Sequence, residues 1–316
     1  MVFVDAFSRV LPVLLLFGLG ALLRQGAVIR PETVDDLRVL VVKFTLPAAL
    51  FQTFLRVSLE SRYIVIVVSV FGACVIALGL GRLTGRLIRV PSPLLPALMT
   101  GFEAGMLGYA IYRATFGAKA LYHFAIVDIG QVMFVFFVLA TFLIRGSTGL
   151  TPSLRTTAIS FARTPVIVAI LAGMLGSVVG LGAVLDGGSP GRAILETVAF
   201  VAALTTPLIA IVIGYGTRLS RASLGWPLRT VAVRMAFWVV LAIAFDVLVV
   251  DGVLHLDRLM QAAVLTMAVL PPPFVIPLFV APDSRWAADR EYATNTLSLA
   301  TVATLGAFAL VAAAYG

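Results

Sequence analysis

Tyr63-Ile64-Val65-Ile66-Val67-Val68-Ser69-Val70-Phe71-Gly72-Ala73-Cys74-Val75-Ile76-Ala77-Leu78-Gly79-Leu80-Gly81 runs from Arg62 to Arg82 without one charged side chain. A hydrocarbon layer about 30 Å thick takes ~20 apolar residues at 1.5 Å each. This run has that length, and similar runs recur along the 316-residue chain. They predict spans at 6–24, 36–56, 62–82, 93–116, 121–144, 161–184, 193–216, 227–250, 257–280 and 290–314, numbered 1 to 10. The expected fold is an all-α polytopic membrane protein whose ten transmembrane helices use nearly the whole chain. No room is left for a catalytic domain.

Composition agrees. The chain is 61% hydrophobic and 12% charged, with a mean hydropathy of +1.08. A soluble domain carries about 25% charged residues and cannot bury so much apolar surface. The net charge of +8 comes from basic residues scattered as ones and twos between apolar runs, which excludes a nucleic-acid stripe. Cys74 is the single cysteine, so neither an intrachain disulfide nor a cysteine metal site is available. His123 and His255 are far apart in sequence and read as wet, neutral side chains near span ends rather than a metal pair. The first apolar run leads straight into the membrane pattern with no small-residue cleavage site, so no signal peptide is expected.

Breakers and charges fill the connections: Arg30-Pro31-Glu32, Pro91-Ser92-Pro93, Gly187-Gly188-Ser189-Pro190 and Pro282-Asp283. The longest weakly hydrophobic stretch, 145–160, falls near the midpoint. It divides the chain into an N-terminal five-helix repeat, 1–144, a cytoplasmic connection, 145–160, and a C-terminal five-helix repeat, 161–316. Connections after the odd-numbered spans hold fourteen arginines: Arg24, Arg30, Arg38, Arg82, Arg86, Arg89, Arg145, Arg155, Arg163, Arg218, Arg221, Arg229, Arg285 and Arg290. The other side holds seven basic residues: Arg9, Arg56, Arg62, Arg113, Lys119, Arg192 and Arg258. The positive-inside rule then puts both termini in the extracytoplasmic space of a bacterial-type inner (plasma) membrane. Five is odd, so two similar tandem halves must be inverted, the commonest carrier plan.

Two spans are irregular at matching places. Span 4 contains Gly101-Phe102-Glu103-Ala104-Gly105-Met106-Leu107-Gly108, and span 9 contains Pro271-Pro272-Pro273 with Pro277 one turn later. Three successive prolines remove donors and clash with the preceding turn, so the helix must open. Freed backbone is tolerated at bilayer depth only against protein or a watery cavity. Paired interruptions in inverted halves point to a solute site; the alternatives are a kinked packing helix for span 9 and a glycine-rich helix contact for span 4. The expected solute-binding residues are Glu103, Ala104, Gly105, Gly108, Pro271, Pro272, Pro273 and Phe274. Thr45-Leu46-Pro47 in span 2 has a counterpart in Thr205-Thr206-Pro207 of span 7.

Ionisable groups inside spans are costly and call for a reason. Glu103 is the sharpest. A buried carboxyl loses solvation on ionising, which makes it a candidate for proton exchange. Among freed carbonyls it could instead hold a cation or cationic solute, or pair structurally with Lys43 or Arg234. Asp128 and Gln131 share a face of span 5 and serve either transport or structure. Lys43, one turn before Pro47, is placed either to attract an anion or at the cytoplasmic mouth. Arg234 reads as a snorkelling or helix-pairing residue. Asp246 lies close enough to the end of span 8 to reach water, and Asn295 opens span 10. No nucleophile elbow, zinc helix or phosphate loop occurs, so no enzyme is expected.

Residues 40–51, Leu40-Val41-Val42-Lys43-Phe44-Thr45-Leu46-Pro47-Ala48-Ala49-Leu50-Phe51, resemble the second-helix signature of the auxin efflux carrier family, which includes malonate permease-like carriers and the plant PIN exporters. The opening Leu11-Pro12-Val13 to Leu23-Arg24, the Gly101–Gly108 stretch with Phe116-Gly117, Pro271 to Ala281, and Tyr292-Ala293-Thr294-Asn295-Thr296-Leu297-Ser298-Leu299 are similar to that family too. The resemblance implies two inverted five-helix repeats, with spans 1, 2, 6 and 7 as a scaffold, often dimeric. Spans 3–5 and 8–10 would be a transport unit in which broken helices 4 and 9 cross at the solute. It implies an elevator-like secondary transporter of organic anions, with no cofactor beyond a coupling H+ or Na+. Its partners would be the solute, the lipid bilayer and a second copy. The chain departs from the pattern at Glu103, where the family has asparagine, at Ala110, where it has proline, and at Phe274, near which it has an amide. A carboxyl at 103 repels an anion unless protonated. A sodium-coupled symporter resembling the bile-acid carriers and a non-transporting membrane sensor or assembly subunit are the other expectations.

The charge asymmetry generates a first prediction. Reporter fusions at Gly149 and at the C-terminus should fall on opposite sides of the membrane, with Gly149 cytoplasmic. A cytoplasmic C-terminus would remove the inverted-repeat argument.

Overall fold

The protein, seen as a computed structural model, is built of helices, with no strand among the described residues. These are 2–56, 60–151, 153–217, 224–280, 284 and 286–316. Arg218, Arg221, Ala281, Pro282, Asp283 and Arg285, which figure in the charge count and the family pattern, lie outside them. Among the described residues six helical stretches are long and apolar enough to cross a membrane: α2 (Pro31–Phe54), α3 (Tyr63–Ile88), α6 (Ala118–Thr148), α10 (Ser189–Gly216), α11 (Gly225–Asp251) and α13 (Ala287–Tyr315). A seventh is added if α7 (Leu154–Ala162) and α8 (Pro165–Val178), bent by 60° at Arg163-Thr164, form one span. The bend has a local cause, since Pro165 cannot donate back into α7. The first helix, α1 (Val2–Gln25), contributes an apolar Leu11–Gln25 segment.

The remaining helices are interrupted. A short α4 (Leu95–Leu98) is followed by unwound chain at 101–103 and then α5 (104–116), which begins as a wide π turn at Ala104–Gly108. Near the other end of the chain, α12 (Arg258–Val269) stops before Leu270, the three prolines leave the helix open, and a short 3-10 turn follows at Ile276–Phe279. A short α9 (Leu181–Asp186) precedes α10. Proline shapes α2 as well. Pro47 has no N–H to return to Lys43, and the turn before it, Val41–Thr45, widens to π geometry.

Polarity is distributed inside out. The flanks of α3 and α11 expose Ile64, Val68, Ile76, Val240, Ile243 and Val247, while Thr100, Glu103, Asp128, Gln131, Arg234 and Asn295 are buried. That arrangement suits lipid around a polar interior. Two groups of helices are in contact, joined by α1 against α13, α10 against α5 and α2 against α6. In one, α1 packs along Thr205–Gly216 of α10, and α2 packs on α8 and on Ser189–Ala203. In the other, α3 lies on α6, and α12 touches α6, α11 and α13.

The contact between α1 and α10 depends on glycine. A Cβ at Gly214 would lie 2.9 Å from the Cα of Phe17 and closer still to its carbonyl oxygen, and one at Gly20 would lie 2.8 Å from the Tyr215 nitrogen. Small residues let two helix backbones approach where lipid offers no hydrophobic drive to pack. Gly214→Ala is therefore expected to destabilise by roughly 1–3 kcal/mol. Gly18→Ala, with open space around its Cβ position, should be neutral or stabilising by up to about 1 kcal/mol. Melting temperatures of the two detergent-solubilised variants check the contrast, and equal losses would remove the close-packing account.

Candidate functional site

The break after α4 and the break after α12 meet in the interior. The Glu103 backbone N–H donates to the Pro271 carbonyl at 2.9 Å. Gly101 has φ +63°, a conformation glycine adopts without strain, and its Cα faces the Pro273 ring, whose Cγ would lie 2.8 Å from a Cβ. Pro271, Pro272 and Pro273 are buried, so the opened segment faces protein.

Opening two helices frees carbonyls on one side of each break and amides on the other. Arg234, on α11 and 3% exposed, takes the carbonyls. Its Nη1 donates to Leu98 O at 3.0 Å, and its Nη2 donates to Gly101 O at 2.5 Å and Leu270 O at 3.4 Å. The guanidinium also lies over the Phe102 ring, 5.1 Å from the centroid. One turn along α11, Trp238 Nε1 donates to Met99 O at 2.8 Å. From α13, Thr304 Oγ1 donates to Val269 O at 2.5 Å.

Glu103 takes the amides. Its Oε1 accepts the Met106 N–H at 3.1 Å, which caps α5, and its Oε2 accepts the Phe274 N–H at 2.6 Å beyond the prolines. One carboxyl thus joins the amide sides of both breaks, and one guanidinium joins the carbonyl sides. Each charge complements the partial charge of the backbone it meets.

A second chain of hydrogen bonds holds the span-4 break from α6. Phe102 N–H donates to Gln131 Oε1 at 3.3 Å, Gln131 Nε2 donates to Asp128 Oδ1 at 3.0 Å, and Tyr109 OH donates to Asp128 Oδ2 at 2.8 Å. Asp128 and Gln131 therefore belong with Glu103. Ala104 and Gly108 are buried at the start of α5, Gly108 against the Phe124 ring and Leu270, while Gly105 keeps open space at its Cβ position.

Other expected residues lie elsewhere or differently. Lys43 is exposed on the π turn of α2, and no ion pair joins it to Glu103 among the described residues. Arg234 does not snorkel, because the broken backbone supplies acceptors in the interior. Asn295 is buried with its Nδ2 unpartnered among the described residues. Asp246, expected to reach water, is 4% exposed, and neither carboxyl oxygen has a partner there. His123, expected to be wet, is 4% exposed; its Nδ1 lies 3.1 Å from Ala120 O and its Nε2 3.1 Å from Asp257 Oδ2, the residue that caps α12.

Trp238, Tyr109 and Thr304 escaped the sequence reading. Trp238 was accessible, since it follows Arg234 by four residues on the same helical face. Nothing in the spacing marks Tyr109 or Thr304.

No protein-family model matches the chain, and no curated protein matches it.

Removing Arg234 should leave buried carbonyls without donors. Arg234→Met is expected to cost roughly 2–5 kcal/mol of stability, whereas Lys43→Met should stay within about 0.5 kcal/mol. Denaturation midpoints in detergent compare them. A Lys43 loss as large as that of Arg234 would mean that Lys43 has a buried partner after all.

Proposed function

We propose that the protein is a secondary carrier of a small organic solute, with an organic carboxylate as the favoured class and proton coupling through Glu103. The observation that carries this reading is the meeting of two helix breaks at one carboxyl, which accepts amides from both. Amides at the starts of helices favour an anionic group, and discontinuous helices of this kind suit a solute site in a carrier. Glu103 fills that place in the present state. A solute carboxylate can take the Met106 and Phe274 amides only when Glu103 gives them up, and a protonated Glu103 is the weaker acceptor. The proton that frees the amides would travel with the solute and leave when Glu103 reclaims them.

The same reading gives ten membrane passages in two inverted five-helix repeats, with both termini extracytoplasmic. Thr45 and Thr205 support it: each stands two residues before a proline in its half, and each is buried with an unpartnered hydroxyl among the described residues. The two contacting groups of helices support a scaffold of spans 1, 2, 6 and 7 beside a transport unit of spans 3–5 and 8–10 that moves in an elevator-like way. A homodimer would form through the scaffold. Membership of the auxin efflux carrier family is part of the proposal and rests on the residue patterns of spans 2, 4, 9 and 10.

A thermal-shift screen of organic acids and amines against the purified protein selects the test solute. In reconstituted vesicles, Glu103→Gln is then expected to flatten the pH dependence of flux while the protein stays folded, because a neutral amide has no proton to exchange. Unchanged stability together with an unchanged pH profile would overturn the coupling role. Binding of a solute without flux in the wild-type protein would favour a sensor over a carrier.

A further inference from the structure

A cavity of about 1270 Å³ opens between the end of α3 and the later part of α6, apart from the residues of the helix breaks. Its lining has two chemistries. Arg82, Arg86, Arg89 and Arg145 supply guanidinium groups, Leu78, Phe137 and Phe142 supply apolar wall, and no acidic residue lines it among the described residues. The two chemistries are ordered along the helices. On α3, Leu78, Arg82 and Arg86 follow one another at one-turn intervals, and on α6 the apolar Phe137 and Phe142 precede Arg145. Both walls therefore run from apolar toward mid-helix to cationic at the helix end.

Among the described residues no acidic side chain neutralises the α3 arginines. Among the described residues, Arg82, Arg86 and Arg89 donate no side-chain hydrogen bond and enter no ion pair. Like charges one turn apart repel, so Arg82 and Arg86 on one face call for an anion. Arg89 sits at the left-handed residue that closes α3, φ +56°. Trp286 closes the other side, its ring against Gly146 and 5.9 Å from that of Phe142. A tryptophan beside arginines at a span end is the composition of a lipid headgroup boundary.

We propose that this cavity binds an anionic phospholipid, with the phosphate held by the arginines and the acyl chains on the apolar wall one turn deeper. Free phosphate shares the anionic chemistry, but it has no use for Leu78, Phe137 and Phe142. The assignment stands apart from the carrier reading and does not need it.

Native mass spectrometry and thermal melting of the full chain in neutral detergent test the site with phosphatidylglycerol, phosphatidylcholine and inorganic phosphate as probes. The wild-type protein should prefer phosphatidylglycerol. An arginine near an anionic lipid contributes about fivefold in affinity, so R82Q/R86Q should weaken phosphatidylglycerol binding roughly 30-fold and R145Q about fivefold. R155Q/R163Q, outside the cavity, should stay within about twofold, which separates this site from general surface charge. Equal binding of the two lipids, or unchanged phosphatidylglycerol affinity in both R82Q/R86Q and R145Q, would overturn the proposal. So would stabilisation by inorganic phosphate equal to that by the lipid at equal concentration, since the occupant would then be a free anion.

Discussion

Backbone polar groups freed inside a membrane protein must find partners without water, and that requirement organises this interior. An unsatisfied amide or carbonyl in hydrocarbon costs several kcal/mol. Two helices here open at once, after α4 and after α12, and their loose ends are sorted by charge. The carbonyls of Leu98, Gly101 and Leu270 converge on Arg234, and the amides of Met106 and Phe274 converge on Glu103. Pairing the two charges directly would have left both sets of backbone groups without partners. A buried ion pair adds little unless its remaining hydrogen-bonding capacity is met. In this protein the backbone meets it.

The sorting fixes the surrounding packing. Arg234 reaches the breaks because α11 is long enough to pass beside both, and Trp238 one turn on secures Met99 O from the same face. Gly101 takes its left-handed turn beside the Pro273 ring, so the two broken segments can approach to hydrogen-bonding distance. Thr304 does from α13 what Arg234 does from α11, taking the carbonyl of Val269 at the end of α12. The breaks are therefore held from three sides, by α6, α11 and α13, and all three supply side chains that the opened backbone requires.

Much of this was legible in the sequence, for physical reasons. Long apolar runs such as 63–81 admit one solution in lipid, and three successive prolines cannot continue a helix, so the long apolar helices, such as α3, and the opening at Pro271–Pro273 could be read directly. The spacing of Asp128 and Gln131 placed them on one face. What spacing could not give was the partner of each charge. Glu103, Lys43 and Arg234 all looked like candidates for mutual pairing because only their depth along each span was readable. Rotation about the helix axis decided the outcome: Lys43 turns outward on its π turn, and Arg234 turns to carbonyls rather than to a carboxylate. Asp246 and His123 were misjudged for a related reason. Both lie toward helix ends, where depth suggests water, but neighbouring helices cover them.

The hydrogen bonds from α6 give the proposed carboxyl exchange its structural consequence. Glu103 follows Phe102, whose N–H is held by Gln131, which in turn donates to Asp128. Glu103 cannot leave the amides of both breaks by side-chain rotation alone without uncapping α5, because Met106 N–H is one of the groups it holds. A solute carboxylate that takes over both amides would replace the cap and keep α5 intact. One that takes only the Phe274 amide would leave Glu103 capping α5, and the two breaks would then be joined through solute rather than through protein. The second arrangement asks less of the Gln131–Asp128 chain, since the Phe102–Glu103 backbone stays where it is. It also leaves a carboxyl beside a carboxylate, an arrangement that is stable only with a shared proton. In the proposed exchange, the hydrogen bond from Phe274 N–H to Glu103 would link the solute's negative charge to a proton on Glu103 more tightly than burial alone would.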